Sequence, residues 1–193
     1  LLLVVVCVGC GTTSWVSDPS DPNNAKIEAA IRGSLKKPTG ELTKADLEKV
    51  TRLSLKNNQL TEVPKGLEKF SGLTNLDLGY NRLSDVKGLE KVTNLKFLEL
   101  NKNQLTDLKG LGKLTKLIAL KLSDNQLTDV ESLENLTQLQ ALDLGYNRLS
   151  DVKGLEKLTK LESLVLEDNP ALTKAQIDEL QKALPKCFIR SNP

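Results

Sequence analysis

The chain has 193 residues, enough for one continuous hydrophobic core, and its formal net charge is only +2. Its 27 basic and 25 acidic side chains are interspersed, which argues against a surface built for nucleic acid or an anionic membrane. It contains no histidine, so the commonest general base and the commonest metal ligand are both missing. We therefore expect no nucleic-acid binding, no metal and no cofactor.

The first ten residues, LLLVVVCVGC, form a short apolar segment. A bilayer-spanning helix needs about 20 apolar residues, so this stretch is too short to cross a membrane. Its length is typical of the core of a secretory signal, and we expect the basic segment that normally precedes such a core to be missing from the sequence by truncation. The residues before Cys10 resemble a bacterial lipobox, which implies lipidation of Cys10, although Cys7 stands where leucine is usual. An ordinary cleaved signal is the alternative. Residues 11–20 are expected to be a flexible tether. The segment predicts a lipid-anchored or secreted protein of the bacterial cell envelope, with no other membrane contact.

The segment 21–49 predicts a helical cap. Asp21 has the chemistry of a helix N-cap, and Pro22 is suited to the first helical position. A second helix is indicated by Thr43 and Asp46, which stand three residues apart in the spacing of a capping box.

An asparagine then recurs at a nearly constant spacing, 23 residues once and 22 residues four times. The positions are Asn58, Asn81, Asn103, Asn125, Asn147 and Asn169. Around them lies the pattern L-x-x-L-x-L-x-x-N-x-L, the leucine-rich-repeat signature. Over about residues 21–193 the chain resembles bacterial leucine-rich-repeat proteins of the 22-residue, internalin-like kind. The segment LDLGYNRLSDVKGLEK occurs identically at 76–91 and 142–157, which indicates a duplicated structural unit.

This resemblance implies an α/β fold, a right-handed solenoid with a concave parallel sheet and a helical N-terminal cap. The residues support it: alternating leucines predict a short strand in each of six repeats over 50–172. The recurring asparagine of each repeat, called here the ladder asparagine, is expected to turn the chain and to form hydrogen bonds with the backbone of neighbouring coils. Leucines then recur every three residues, which predicts a 3₁₀-like or extended return path. A single repeat cannot offset its own ordering entropy, so neighbouring repeats must cover both of its faces.

The C-terminal cap is expected at 173–193. Thr173 is the predicted N-cap of a helix that runs to about Leu184, and a last strand is predicted at 187–190. Cys187 has apolar neighbours, which favours a buried capping residue over a reactive thiol.

Strand alternation places three columns of side chains on the concave face. The first is Arg52, Asn75, Phe97, Ala119, Ala141 and Ser163; the second is Ser54, Asp77, Glu99, Lys121, Asp143 and Val165; the third is Lys56, Gly79, Asn101, Ser123, Gly145 and Glu167. At the strand edge lie Asn57, Tyr80, Lys102, Asp124, Tyr146 and Asp168. We expect this face to be the more acidic side and the return path the more basic.

Tyr80, Phe97 and Tyr146 are predicted to be the only aromatic residues on this face. Exposed aromatics on a polar sheet are favoured anchors of protein interfaces. The hypothesis is a protein-binding patch of Phe97, Tyr80, Asp77 and Glu99, extended by Tyr146, Lys121 and Asp143. Duplication alone would also explain the two tyrosines.

The sequence therefore predicts a monomeric, non-catalytic module that binds an unidentified protein through its concave face. A structural scaffold or spacer without a specific ligand is the main alternative. An enzyme with Cys187 as nucleophile would need that thiol exposed and activated. Intracellular regulators with 22-residue repeats are a further binding alternative, against which the secretion-like N-terminus argues.

Overall fold

The computed structural model describes residues 22–192, and its central feature is one sheet of seven parallel strands that follow one another in chain order. The strands are β1 (Arg52–Ser54), β2 (Asn75–Asp77), β3 (Phe97–Glu99), β4 (Ala119–Lys121), β5 (Ala141–Asp143), β6 (Ser163–Val165) and β7 (Phe188–Arg190). Each strand pairs with the next in register, so that Leu53 lies beside Leu76 and Leu76 beside Leu98. The predicted leucine-rich-repeat solenoid with a parallel sheet is confirmed.

The return path of each of the first five repeats contains a short 3₁₀ helix, as the three-residue spacing of its leucines predicts, whereas the sixth repeat continues into an α-helix. These helices are Leu67–Lys69, Leu89–Lys91, Leu111–Lys113, Glu131–Leu133 and Leu155–Lys157. Together with the strand leucines, the return-path leucines form one buried aliphatic cluster that runs from Ile27 to Cys187. Because each repeat is covered by its neighbours on both sides, the solenoid is stabilised collectively and not repeat by repeat.

Asparagine side chains tie successive coils together inside this core. Asn103 is typical: its Nδ2 donates to the carbonyl oxygens of Leu78 and Leu100, each at 3.0 Å, and its Oδ1 accepts from the N–H of Leu83 at 3.0 Å. The equivalent contacts recur at Asn81, Asn125, Asn147 and Asn169. All five residues are buried.

Asn58, the first member of the series, differs from the others. It is only half-buried, and its Nδ2 donates to the backbone carbonyl oxygen of Lys56, in its own coil, at 3.2 Å. No earlier repeat lies beside it, so its amide has no preceding coil to bond. Asn81 is therefore the first ladder asparagine whose side chain joins two coils.

Helices cover both ends of the solenoid. Helix α1 (Pro22–Leu35) buries Ile27 and Ile31, and helix α2 (Lys44–Glu48) begins with a capping box between Thr43 and Asp46. A second capping box, between Thr173 and Gln176, begins α3 (Lys174–Ala183). The predicted N-cap Asp21 and the predicted signal and tether, Cys7 and Cys10 included, lie outside the described residues. Among residues 22–192, no helix combines the length and apolarity that crossing a bilayer requires.

Candidate protein-binding face

The pairing register confirms the predicted columns of the concave face. Arg52 lies beside Asn75, Asn75 beside Phe97, and the series continues through Ala119 and Ala141 to Ser163. The prediction that Phe97 and the two tyrosines are the only aromatics there is wrong. Strand β7 adds Phe188 to the first column, and this side chain is 70% exposed. Phe188 follows Ser163 by 25 residues, and its strand, FIR, contains no leucine, unlike the other six strands.

A groove lies where helix α1 meets the first three strands. Its volume is about 540 Å³, and its lining includes Ala30, Gly33, Arg52, Asp77, Phe97 and Glu99. The Ser34 hydroxyl donates to the carbonyl oxygen of Arg52 at 2.8 Å and holds the helix against β1. The small side chains of Ala30 and Gly33 leave the space open. Three residues of the predicted patch, Asp77, Phe97 and Glu99, are thus brought together in a concavity that sequence analysis did not anticipate.

The three concave columns carry balanced charge once β7 is included. The strand-edge column adds one lysine and two aspartates, so the expectation that this face is more acidic than the return path stays a prediction. The cations are Arg52, Lys56, Lys121 and Arg190, and the anions are Asp77, Glu99, Asp143 and Glu167. Two ion pairs connect them, Lys121–Glu99 at 3.1 Å and Arg190–Glu167 at 3.0 Å. Arg190 belongs to β7, a strand that was not included in the columns predicted from the sequence.

Asp77 and Asp143, equivalent residues of the two identical segments, also shape the backbone. The Oδ1 of Asp77 accepts from the N–H of Gly79 at 2.9 Å, and that of Asp143 accepts from the N–H of Gly145 at 3.1 Å. Part of each carboxylate is therefore used within its own repeat.

The residue before each ladder asparagine has a left-handed backbone, a feature that the sequence did not indicate. Asn57, Tyr80, Lys102, Asp124, Tyr146 and Asp168 have φ between 53° and 58° and are called here the left-handed column. This conformation costs most L-residues roughly 1–2 kcal/mol, and asparagine and aspartate adopt it most readily. Tyrosine and lysine are therefore unfavourable choices for the backbone at this position. Because the conformation recurs in all six repeats, it is a property of the coil itself.

Tyr80 and Tyr146 have opposite electrostatic surroundings although their repeats are identical. The Nζ atoms of Lys56 and Lys102 lie 4.5 and 5.3 Å from the centre of the Tyr80 ring. Tyr146 instead has Asp124 and Asp168 on either side of it in the left-handed column. Its hydroxyl donates a hydrogen bond to the Asp168 carboxylate, which raises the pKa of Tyr146, and the charge of Asp168 adds to the effect. The two side chains are 43% and 56% exposed.

We expect Asp168→Asn to lower the pKa of Tyr146, because the substitution removes both the anionic acceptor and its charge. Tyrosinate absorbance in a Tyr80→Phe background reports Tyr146 alone, since the chain has only two tyrosines. Asp124→Asn is the matched control and should lower this pKa less, because Asp124 acts on Tyr146 through its charge only. Equal shifts from both variants would contradict the hydrogen bond.

Within residues 22–192, no group of histidine, cysteine, aspartate or glutamate side chains could hold a metal ion. Cys187 is buried, and burial raises the pKa of its thiol. A buried thiol with a raised pKa is a poor nucleophile at neutral pH. This environment does not favour the alternative of an enzyme based on Cys187.

Models of protein families match most of the repeat region. One leucine-rich-repeat model matches residues 48–105, and another, which describes two repeat copies, matches 93–135 and 137–182. The chain is a leucine-rich-repeat protein. Members of this family are typically non-catalytic interaction modules. No curated protein matches the chain in sequence.

Solved leucine-rich-repeat structures resemble the solenoid. An internalin (InlF) of Listeria monocytogenes is 25% identical with a TM-score of 0.70, over 86% of this chain and 55% of its own. Internalin C2 of the same bacterium is 26% identical with a TM-score of 0.65, over 86% of this chain and 85% of its own. The ectodomain of the Arabidopsis thaliana receptor kinase GASSHO1/SCHENGEN3, solved in complex with Casparian strip integrity factor 2, is 29% identical with a TM-score of 0.59. It is covered over only 19% of its length. This leucine-rich-repeat chain thus spans about half of InlF and most of internalin C2.

Proposed function

We propose that this leucine-rich-repeat protein is a non-catalytic module that binds a protein partner through its concave face at a bacterial cell envelope. The observation that carries the proposal is the exposure of aromatic side chains on an otherwise polar sheet. Phe97 is 42% exposed beside an open groove, and Tyr80 and Tyr146 are exposed at the strand edge. Interfaces draw most of their binding energy from a few such anchors.

The groove gives the Phe97 ring a function that duplication cannot explain. Equivalent positions in the next two repeats hold Ala119 and Ala141, so Phe97 is not required by the repeat itself. An apolar partner side chain that enters the groove would contact the Phe97 ring, and the carboxylates of Asp77 and Glu99 in the same lining would select a polar or basic neighbour. Binding by side chains on a preformed sheet needs no rearrangement of the backbone.

Placement at the envelope rests on the N-terminal segment, whose apolar run precedes Cys10. The resemblance to bacterial internalins agrees with a bacterial source. A lipid at Cys10 or a cleaved signal would each deliver the repeats outside the cytoplasm.

The test is a crosslinked pull-down from envelope extract of the source bacterium. The native chain is compared with the triple variant Tyr80→Ala, Phe97→Ala, Tyr146→Ala. A return-path triple variant, Lys87→Ala, Lys109→Ala, Lys153→Ala, is the matched control. We expect a partner that the native chain and the control retain and that the aromatic variant loses.

Equal recovery of all proteins by the three chains would contradict the proposal. That result would favour the second candidate, a spacer or scaffold with no specific ligand. The small concave residues Gly79, Ala119, Ala141 and Gly145 are what favour this candidate, because they offer a partner little contact area. Phe188→Ala then locates the site: retention of the partner places it in the half of the sheet nearest α1.

A further inference from the structure

The charge of the side chains along the left-handed column changes from positive in its first half to negative in its second half. Its first half holds Lys102, and Lys56 of the neighbouring column lies over the Tyr80 ring, whereas its second half holds Asp124 and Asp168. All four charged side chains are exposed. Within the described residues, Lys56, Lys102 and Asp124 form no ion pair, so their charges are available to a ligand.

We propose that the left-handed column is a dipolar recognition ridge for an extended peptide segment of the partner, with an acidic side chain at Tyr80 and a basic side chain at Tyr146. This inference rests on the proposed protein-binding function and specifies the chemistry of its ligand. At Tyr80 the two lysine ammonium groups flank the aromatic ring, which suits a carboxylate. At Tyr146 an exposed ring lies between two carboxylates, which suits an arginine or lysine side chain.

The spacing of the two tyrosines determines the length of the segment. They are three repeats apart, and parallel strands lie about 4.8 Å from each other, so the rings are separated by about 14 Å. An extended chain rises about 3.3 Å per residue, which places the acidic and basic side chains about four residues apart. A segment that crosses the strands along the ridge can therefore meet both sites at once.

The coil imposes the same left-handed backbone on all six residues of the column, so this geometry gives tyrosine no advantage in stability there. Both have a left-handed φ, 58° at Tyr80 and 55° at Tyr146, where asparagine, aspartate or glycine would be less strained. Duplication supplied the same side chain twice, but the residues that flank it in the neighbouring repeats differ in charge. The two copies thus present one aromatic surface with opposite ligand preferences.

Fluorine NMR of the chain labelled with 3-fluorotyrosine tests this inference with two resolved probes, since Tyr80 and Tyr146 are its only tyrosines. A Tyr80→Phe variant assigns the signals. The ligands are three acetylated and amidated peptides: Glu-Ser-Ser-Ser-Arg, Glu-Ser-Ser-Ser-Glu and Arg-Ser-Ser-Ser-Arg. We expect the dipolar peptide to shift both signals and to bind about threefold to tenfold more tightly than either uniform peptide. The modest ratio follows from the small contribution of each exposed charge pair.

The charge-reversal variant Lys56→Glu, Lys102→Glu makes the test specific. It should abolish the preference for the dipolar peptide and make the Tyr80 signal respond to the arginine peptide instead. The matched control Lys87→Glu, Lys153→Glu carries the same change of charge on the return path and should behave as the native chain. Equal affinity for the three peptides, or no shift of either signal by any of them, would overturn the proposal.

The two proposals fail in different ways. A partner captured through Phe97, with no preference among the peptides, would leave the binding function intact and reject the dipolar ridge. If no partner is captured and no peptide shifts either tyrosine signal, both the binding function and the dipolar ridge are rejected. Peptide discrimination without a captured partner would support the ridge and place the partner outside the extract.

Discussion

Replacing Asn125 by alanine is expected to lower the free energy of unfolding by about 3–5 kcal/mol, since each buried polar group that loses its partner costs about 1–3 kcal/mol. The Oδ1 of Asn125 accepts from the N–H of Leu105 at 3.0 Å, and this donor would be left buried without an acceptor. The carbonyl oxygens of Leu100 and Leu122 would each lose one of their two asparagine donors. The loss falls in the middle of the solenoid, where it weakens the contact between two coils.

Asn58→Ala provides the matched control for the Asn125 prediction. It removes the same side chain from the same position of the repeat, but this amide is half-buried, and among residues 22–192 it donates only to the carbonyl oxygen of Lys56. We expect a loss of about 0.5–1 kcal/mol, the usual net value of one hydrogen bond. Urea unfolding followed by circular dichroism measures both variants, and a smaller m-value for Asn125→Ala would indicate that the two halves unfold separately. Equal losses at the two positions would contradict the ladder as the link between coils.

Repetition explains why so much of the fold could be predicted from the sequence. Six copies of one pattern report the same strand, turn and return path six times, so the register of Leu53, Leu76 and Leu98 follows from the spacing alone. The capping box at Thr43 and the N-cap at Thr173 were predictable for a similar reason, because each depends on residues a few positions apart.

Features that depend on contacts between distant elements were not predictable. The left-handed backbone of Tyr80 and Lys102 opposes their local preference and is imposed by the coil. The groove beside Phe97 exists only because α1 docks on β1. Phe188 was missed because its strand departs from both the period and the leucine pattern. Local propensity gives way to tertiary packing at each of these positions, and all three belong to the candidate site or its margin.

The contact between the N-terminal cap and the first repeat depends on a glycine, and Gly72→Ala should disrupt it. A Cβ atom at position 72 would lie 2.3 Å from the backbone carbonyl oxygen of Glu48, the last residue of α2. Backbone cannot move aside as a flexible side chain can, so the cap must shift away from the repeat. We expect a loss of about 1–3 kcal/mol, the range for overpacking a well-packed contact.

The repeat pattern supports this interpretation of Gly72. Equivalent positions in later repeats hold Asn94, Lys116, Gln138 and Lys160, whose polar side chains are all much larger than that of glycine. The first repeat alone faces the cap at this point, and it alone has glycine.

Gly33→Ala is the matched control for the cap prediction. Gly33 lies in helix α1 of the same cap, but, apart from the backbone of its own helix, no atom of the described residues comes within 4 Å of the position that its Cβ would occupy. The added methyl group should therefore stabilise the protein by about 0.5–1 kcal/mol, because alanine is favoured over glycine inside a helix. Denaturant unfolding of the two variants then gives changes of opposite sign from the same chemical substitution. If both substitutions raise the free energy of unfolding, α2 does not pack on the first repeat at Gly72. If Gly72→Ala lowers it and Gly33→Ala raises it, the close contact between Gly72 and Glu48 stabilises the docking of the cap on the first repeat.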